Sequence, residues 1–382
     1  MSVPLTARER YMRLFRGEPI DRIPVCPRVH ENVVFEYNKT KDLQGQYLER
    51  VIDYFKVFDF DIIDWNCSPR PHFEMQDFIT EGPNWHPEIR TEESGGTKND
   101  IVTVNTPKGQ LRRIQSTTVI SEWEVESAIV EYPIKSRKDF DLIVEFMPEP
   151  FQIDTSSIKK AKELIGDDGI VSPSFHGSFN ILGYCYRNLE NLLMDVTVAP
   201  DFYHQMMEYF TNRICSYAQQ IIDAGIELVD VGSNMANGIV VSPDYLVEHI
   251  LPYENRLVDF IQKQGVLALY HNCGHAKNHL DVYNQLHHKA WGYLAPQPHG
   301  DVVLDDVIKK VPEEMILWGH VDQIDFLRQA SPEEIEQRVK YICEKIKPRG
   351  NFILGTTDYL EINTPPENLH ALVEAGHKYG QY

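Results

Sequence analysis

Apolar residues recur along this chain in two alternating periods. Short runs rich in β-branched and aromatic residues are separated by longer stretches whose apolar positions fall three and four apart, the signatures of buried strands and of helices laid against them. The runs are 23–29 (IPVCPRV), 60–66 (FDIIDWN), 169–175 (GIVSPSF), 226–232 (IELVDVG), 266–271 (VLALYH), 290–295 (AWGYLA), 315–320 (MILWGH) and 351–356 (NFILGT). Several are almost continuously apolar, as parallel strands covered on both faces must be. Eight βα units in succession predict an α/β chain, residues 1–382, folded as a single (β/α)8 TIM barrel.

Helix-start signals agree with that division. Thr6-x-x-Glu9 and Ser331-Pro332-Glu333-Glu334 have the form of capping boxes, and Ser242-Pro243 and Thr364-Pro365 open two further helices. The rhythm breaks between about 73 and 150. There IVTVNTPKGQLRRIQSTTVI predicts a β-hairpin turning at Pro107-Lys108-Gly109, and SRKDFDLIVEFM predicts a short helix. Both are expected as an insertion after the second strand. At that end of a barrel an insertion borders the active-site rim, where it can cover the mouth or face a partner.

Charge narrows the partners. Thirty-seven basic against 57 acidic residues leave a net charge of -20, which repels phosphate backbones and anionic membrane faces, so no nucleic acid partner is expected. The N-terminal segment is charged and lacks an apolar signal region, and no stretch is long enough to span a bilayer, which predicts a cytoplasmic chain with no membrane association. Six cysteines without a C-x-x-C pair suit free thiols in a reducing compartment.

The segment Leu269-Tyr-His-Asn-Cys-Gly-His275 carries the strongest chemical signal. An apolar strand ends there in His271 and Cys273, two residues apart, so both side chains leave the chain on one side and can converge on one zinc ion. The competing reading is a histidine and a cysteine that simply pack at a loop start. Other strand ends offer Asp64, Trp65 and Asn66, then His176 followed by Gly177, then Asn234 and Asn237, with Tyr184 and Tyr186 in the helix after the third strand. Trp65, His176, Tyr184 and Asn234 are the substrate-binding candidates, the residues after Gly177 opening a helix whose start can face an anion. His287-His288 beside Lys289 is expected as solvated surface of an amphipathic helix.

Asn237-Gly-Ile-Val-Val-Ser-Pro-Asp-Tyr-Leu-Val-Glu-His-Ile-Leu-Pro-Tyr253, HNCGH, Gly319-His-Val-Asp322 and Asn363-Thr-Pro-Pro-Glu-Asn-Leu369, together with the opening TARERYMRLFRGEPIDRIPV, resemble the uroporphyrinogen decarboxylase superfamily, and in particular its cobalamin-dependent methyltransferases. The resemblance spans nearly the whole chain and implies a TIM barrel. It also implies a zinc site of the form His-x-Cys plus a distant second Cys, and a cobalamin supplied on a separate corrinoid protein. His271 and Cys273 match that pattern; the distant position falls on Asp358 in Gly355-Thr-Thr-Asp-Tyr, a departure. Carboxylate oxygen is an ordinary zinc ligand, yet Glu227, Asp230, His275 and Glu361 remain rivals for the third place. The decarboxylases themselves carry an arginine-rich R-x-x-G-R-Y run where this chain reads Pro27-Arg-Val-His-Glu-Asn32, a poor receptor for many carboxylates. The implied activity is therefore O-demethylation, moving methyl from a small methoxylated, aromatic substrate to cob(I)alamin, with zinc at His271, Cys273 and Asp358. Transfer to coenzyme M or another thiol, and tetrapyrrole decarboxylation, are the alternatives.

Overall fold

The computed structural model describes residues 4–382. Its strands are β1 (Ile62–Asp64), β2 (His86–Ser94), β3 (Thr97–Thr106), β4 (Gly109–Val119), β5 (Val125–Glu131), β6 (Gly169–Val171), β7 (Ser174–His176), β8 (Leu228–Gly232), β9 (Leu267–His271), β10 (Ala290–Leu294), β11 (Ile316–Val321) and β12 (Phe352–Thr356). The fold is α/β. Strands β7 to β12 pair in sequential order as one parallel sheet, and β1 pairs with β6 in parallel. Strands β8, β10, β11 and β12 are buried at every position, which is why their sequences run apolar without alternation. Among the described residues no helix is long and apolar enough to cross a membrane.

The first expected strand, 23–29, forms only isolated bridges, at Val25 and Arg28. Pro24 and Pro27 lack the N–H that a regular ladder needs. The segment nevertheless joins its neighbours on both sides. Cys26 N–H donates to the Leu354 carbonyl at 2.8 Å and Leu354 N–H to that of Pro24 at 2.9 Å, while Asp61 N–H donates to the Val25 carbonyl at 2.9 Å. Likewise the expected strand 169–175 is divided into β6 and β7 at Pro173, with Ser172 N–H reaching the Asp64 carbonyl at 2.8 Å.

Between β1 and β6, residues 86–131 form a four-stranded antiparallel sheet in the order β2-β3-β4-β5. The turn expected at Pro107-Lys108-Gly109 joins β3 to β4, with Thr106 opposite Gly109. The sheet is larger than the hairpin read from the sequence. Strand β2 is exposed at nearly every position, so it shows no apolar alternation to detect. One face of the sheet buries Val102, Val104, Leu111 and Arg113, whose guanidinium lies 4.9 Å from the Phe78 ring centroid; Ile89 and Val130 are exposed. The adjoining segment is fastened by Asp77, which accepts from Arg213 Nη2 at 2.6 Å and Tyr217 Oη at 2.5 Å on helix Pro200–Ile222.

Asp61 holds the start of the chain in place. Its buried carboxylate accepts from Arg10 Nη1 at 2.6 Å, from Arg22 Nη1 at 2.6 Å and from the Val25 N–H at 2.8 Å, so helix Ala7–Phe15, the 23–29 segment and β1 meet on one anion. Removing one partner of a buried pair leaves the other charge uncompensated, which costs about 3–5 kcal/mol. Asp61→Ala should therefore lower the unfolding free energy by that amount in guanidinium titrations. A loss of under about 1 kcal/mol would show that the clamp contributes little.

Candidate functional site

Parallel register brings the chemistry to one rim. His176 at the end of β7 stands opposite Gly232 of β8, and Gly232 opposite His271 of β9. The two histidines therefore sit at one level, about 10 Å apart along the sheet at 4.7–4.9 Å per strand. Gly232 makes room for the His176 ring, which a Cβ at that position would strike. Two residues below Gly232, on the same side of β8, Asp230 receives Arg28 Nη1 at 2.6 Å and lies 3.0 Å from His271 Nδ1. Burial would raise this carboxyl, but His271 and Arg28 overcome it and hold Asp230 well below the usual carboxylate range. Arg28 in turn sits 4.9, 4.7 and 4.8 Å from the ring centroids of Trp65, Tyr293 and Tyr359.

With Nδ1 held by Asp230, Nε2 is the nitrogen of His271 left for a metal. Ligand atoms of His271, Cys273 and Asp358 lie within 4.8 Å of one another, and among the described residues they are the one such grouping of metal donors. A tetrahedral ion with bonds of about 2.0–2.3 Å sets its ligand atoms roughly 3–4 Å apart, so small side-chain shifts would suffice. The donor set is borderline-soft nitrogen and sulfur with one hard oxygen, which zinc accepts. Burial, and then the nearby Asp358 carboxylate, push the Cys273 thiol up to about 12. Only a cation among these groups would make it a thiolate at neutral pH.

The rival donors lie elsewhere. Glu227 precedes β8, at the opposite end of the strand, where it pairs with Arg8. Asp230 stands behind His271, on its far nitrogen. Neither His275 nor Glu361 belongs to the cluster.

A cavity of about 370 Å³ opens beside these groups, and Trp65, His176, Tyr184 and Asn234 all line it together with His271 and Asp358. Trp65 donates to the Val29 carbonyl at 2.7 Å, which fixes its indole against Tyr359 and His30. Glu74, from the short helix Phe73–Gln76, accepts the His176 backbone N–H at 2.5 Å and lies 3.1 Å from its Nδ1. Burial would lower the imidazole and raise the carboxyl; their mutual attraction reverses both, leaving His176 raised above 6.5 and Glu74 lowered below 4.5. Tyr184 packs on His176 with centroids 5.0 Å apart, and its hydroxyl accepts from Asn234 Nδ2 at 2.9 Å.

Other expected contacts fall away from the cavity. Asp64 and Asn66 bind each other and the neighbouring backbone, Asn237 ties its own loop, and Tyr186 packs on Phe210. The helix start after Gly177 is already filled by the Glu254 carboxylate, which stands where a Cβ would be. His288 is a correction: it lies in a loop after the helical segment Lys277–Gln285, fully buried against Tyr270. Burial pushes it down to about 3, so it is a core histidine and only His287 is surface. Sequence reading missed Glu74 and Tyr359 as cavity residues and gave Arg28 no role at the metal cluster. Only the aromatic character of Tyr359 and the position of Arg28 at a strand end signalled either.

The pattern of the family described as uroporphyrinogen decarboxylase (URO-D) matches residues 120–379. Among proteins of known name, a methylcobamide:CoM methyltransferase of Methanosarcina mazei is 21% identical over 66% of this chain and 72% of its own. A methylcobamide:CoM methyltransferase of Methanosarcina acetivorans is 18% identical over 98% of both chains. A uroporphyrinogen decarboxylase of Geobacter sulfurreducens is 23% identical over 67% of this chain and 74% of its own. Among solved structures, a methyltransferase from Methanosarcina mazei superposes with a TM-score of 0.70 at 14% identity, covering 98% of this chain and 99% of that one, and so shares the fold.

The Glu74–His176 pair is directly measurable. Because the folded imidazole is raised, its contribution to stability is complete below pH 6.5 and fades as pH rises through the folded value. Histidine ring NMR should find His176 titrating above 6.5, and in Glu74→Gln the midpoint should fall, since burial then loses its main opponent and only the Asp230 charge still favours the imidazolium. An unchanged midpoint in the variant would remove Glu74 as the partner that sets it.

Proposed function

The chain belongs to the uroporphyrinogen decarboxylase family, and from that membership we propose that it is a cytoplasmic, zinc-dependent methyltransferase moving a methyl group from a methoxylated aromatic substrate to the cobalt of a separate corrinoid protein. The observation that carries the reading is the His271–Cys273–Asp358 cluster, of which His271 and Asp358 line the cavity. His271, Cys273 and Asp358 would hold zinc through three protein donors, a set that is short of full coordination and so would leave the ion open to substrate. Zinc held there would supply a Lewis acid that takes up charge developing on the departing oxygen.

The chain's own residues do the rest. Asp230 fixes the His271 tautomer and leaves Nε2 for the metal, the usual work of a carboxylate behind a metal-binding histidine. Trp65 and Tyr359 offer flat apolar walls for an aromatic ring, while Tyr184, His176 and Asn234 supply polar contacts. The segment 23–29, β1, β6 continued by β7, and β8 to β12 support one closed (β/α)8 barrel over 1–382, with the antiparallel sheet as an insertion. A second hollow, lined by His30, Trp123, Val125 and Tyr359, adjoins the first through Tyr359. With the exposed Ile120 beside it, we assign this margin to the docking corrinoid protein.

The printed activity of the Methanosarcina relatives favours a second reading, methyl transfer to the thiol of coenzyme M. The carboxylate at 358 separates the two, since it makes the donor set harder and more suited to an oxygen leaving group. Decarboxylation of a tetrapyrrole is less well supported, because Arg28 is already engaged by Asp230.

Cys273→Ala should lose stoichiometric zinc by metal analysis while remaining folded, and methyl transfer should fall with it. Asp230→Asn should weaken zinc by about 10–100-fold. Asp358→Asn should weaken it as well, whereas Asp358→Cys should retain metal but lose ether cleavage. Full zinc in the Cys273 variant would overturn the site, and full ether cleavage in Asp358→Cys would overturn the argument for an oxygen substrate.

A further inference from the structure

The wall of the cavity at β7 carries two hydrogen-bond donors with no acceptor. His176 commits Nδ1 to Glu74, and its Nε2 has no partner among the described residues. Tyr184 accepts from Asn234 Nδ2 at 2.9 Å, and Asn234 Oδ1 is itself taken by Asn180 Nδ2 at 2.7 Å, so the Tyr184 O–H is left without a receiver. The two rings are in contact, with centroids 5.0 Å apart, and both line the cavity. Glu74 is buried beneath the imidazole and bound twice by His176, through the ring and through the backbone N–H, which makes this geometry rigid. An imidazolium N–H beside a phenol O–H is a pair of donors suited to the two oxygens of one carboxylate.

The position of the pair suggests where that carboxylate belongs on a ligand. His176 and His271 flank Gly232 at one level of the sheet, about 10 Å apart along the backbone, and both line the cavity. We propose that His176 and Tyr184 form a carboxylate-binding subsite, so that the substrate is an aromatic acid held by its carboxylate at β7 while its other end faces His271, Cys273 and Asp358. This rests on the reading of the cavity as the substrate pocket. It explains why a carboxylate as costly to bury as Glu74 is placed behind the cavity wall: it favours the charged imidazole and, by holding Nδ1, leaves Nε2 for a ligand.

Isothermal titration calorimetry with 3- and 4-methoxybenzoate against neutral methoxybenzene tests this on the whole protein, without the corrinoid partner. The better acid should bind the parent at least about tenfold tighter than methoxybenzene, as a charge-assisted hydrogen bond allows. In Tyr184→Phe and in Glu74→Gln the ratio should collapse to below about threefold. Tyr184→Phe keeps the ring and its packing, so it reports even if Glu74→Gln fails to fold. Equal binding of acid and neutral ether by the parent would overturn the subsite, as would an intact ratio in Tyr184→Phe. A ratio that collapses in Cys273→Ala and survives in Tyr184→Phe would put the carboxylate on the metal cluster instead and equally overturn it. Because the measurement is of binding alone, a preference for acids with no methyl transfer would leave the subsite standing and the proposed reaction fallen.

Discussion

Asp230 is 1% exposed and carries its charge among apolar strands. Burying a carboxylate costs several kcal/mol unless it is paired and hydrogen-bonded, and both of its oxygens are in use, one toward Arg28 and the other toward His271. That requirement propagates. Arg28 must reach across the rim to satisfy it, and in doing so places a flat cation among Trp65, Tyr293 and Tyr359, of which Trp65 and Tyr359 line the cavity. His271 must turn Nδ1 inward, which leaves Nε2 as the nitrogen available to a metal. One buried anion on β8 thus orders the first segment of the chain, the end of β9 and the residues after β12.

The same device recurs on the neighbouring strand with a different result. Glu74 also pairs a buried carboxylate with an imidazole, but it comes from a helix after β1 and has no arginine, so the histidine alone must balance it. Where Asp230 is bound by Arg28, His271 and the Tyr293 hydroxyl, Glu74 has His176 alone and draws it toward the protonated form. Two histidines at one level of a parallel sheet are thereby backed by carboxylates with different sets of partners. Gly232 between them makes room for the His176 ring, which a Cβ at that position would strike.

Legibility of these features in the sequence follows their range. Strands β8 to β12 were readable because burial on both faces writes itself as an apolar run, and His271 and Cys273 because their relation is two residues long. Asp358 was reached only by counting from Thr364-Pro365 along a family pattern. Glu74 left no trace: HFEMQ reads as any short helix, and its pairing with His176 spans 102 residues. His288 was misread for the complementary reason, since a run of two histidines and a lysine looks polar, while the fold buries the middle one against Tyr270. The antiparallel sheet was half legible. Its inner strands alternate around Val102, Val104 and Leu111, whereas β2 offers only exposed positions and a pattern without a buried face.

The carboxylate at 358 changes the proposed metal site less in charge than in character. A neutral imidazole, a thiolate and a carboxylate balance a divalent ion as fully as an imidazole with two thiolates would, so replacing sulfur by oxygen leaves the total charge alone and alters hardness. Asp358 is also better anchored than a free rim residue: its backbone carbonyl accepts the Thr356 hydroxyl at 2.6 Å, and its Oδ1 accepts the Tyr359 N–H at 2.8 Å. Thr356 in turn receives the Arg28 backbone N–H at 2.9 Å, and the Tyr359 ring lies against the Arg28 guanidinium. The third donor of the cluster is therefore positioned through Arg28, the residue that Asp230 holds. A substitution at Asp230 would reach the cluster from two sides, through the His271 ring and through the loop that carries Asp358.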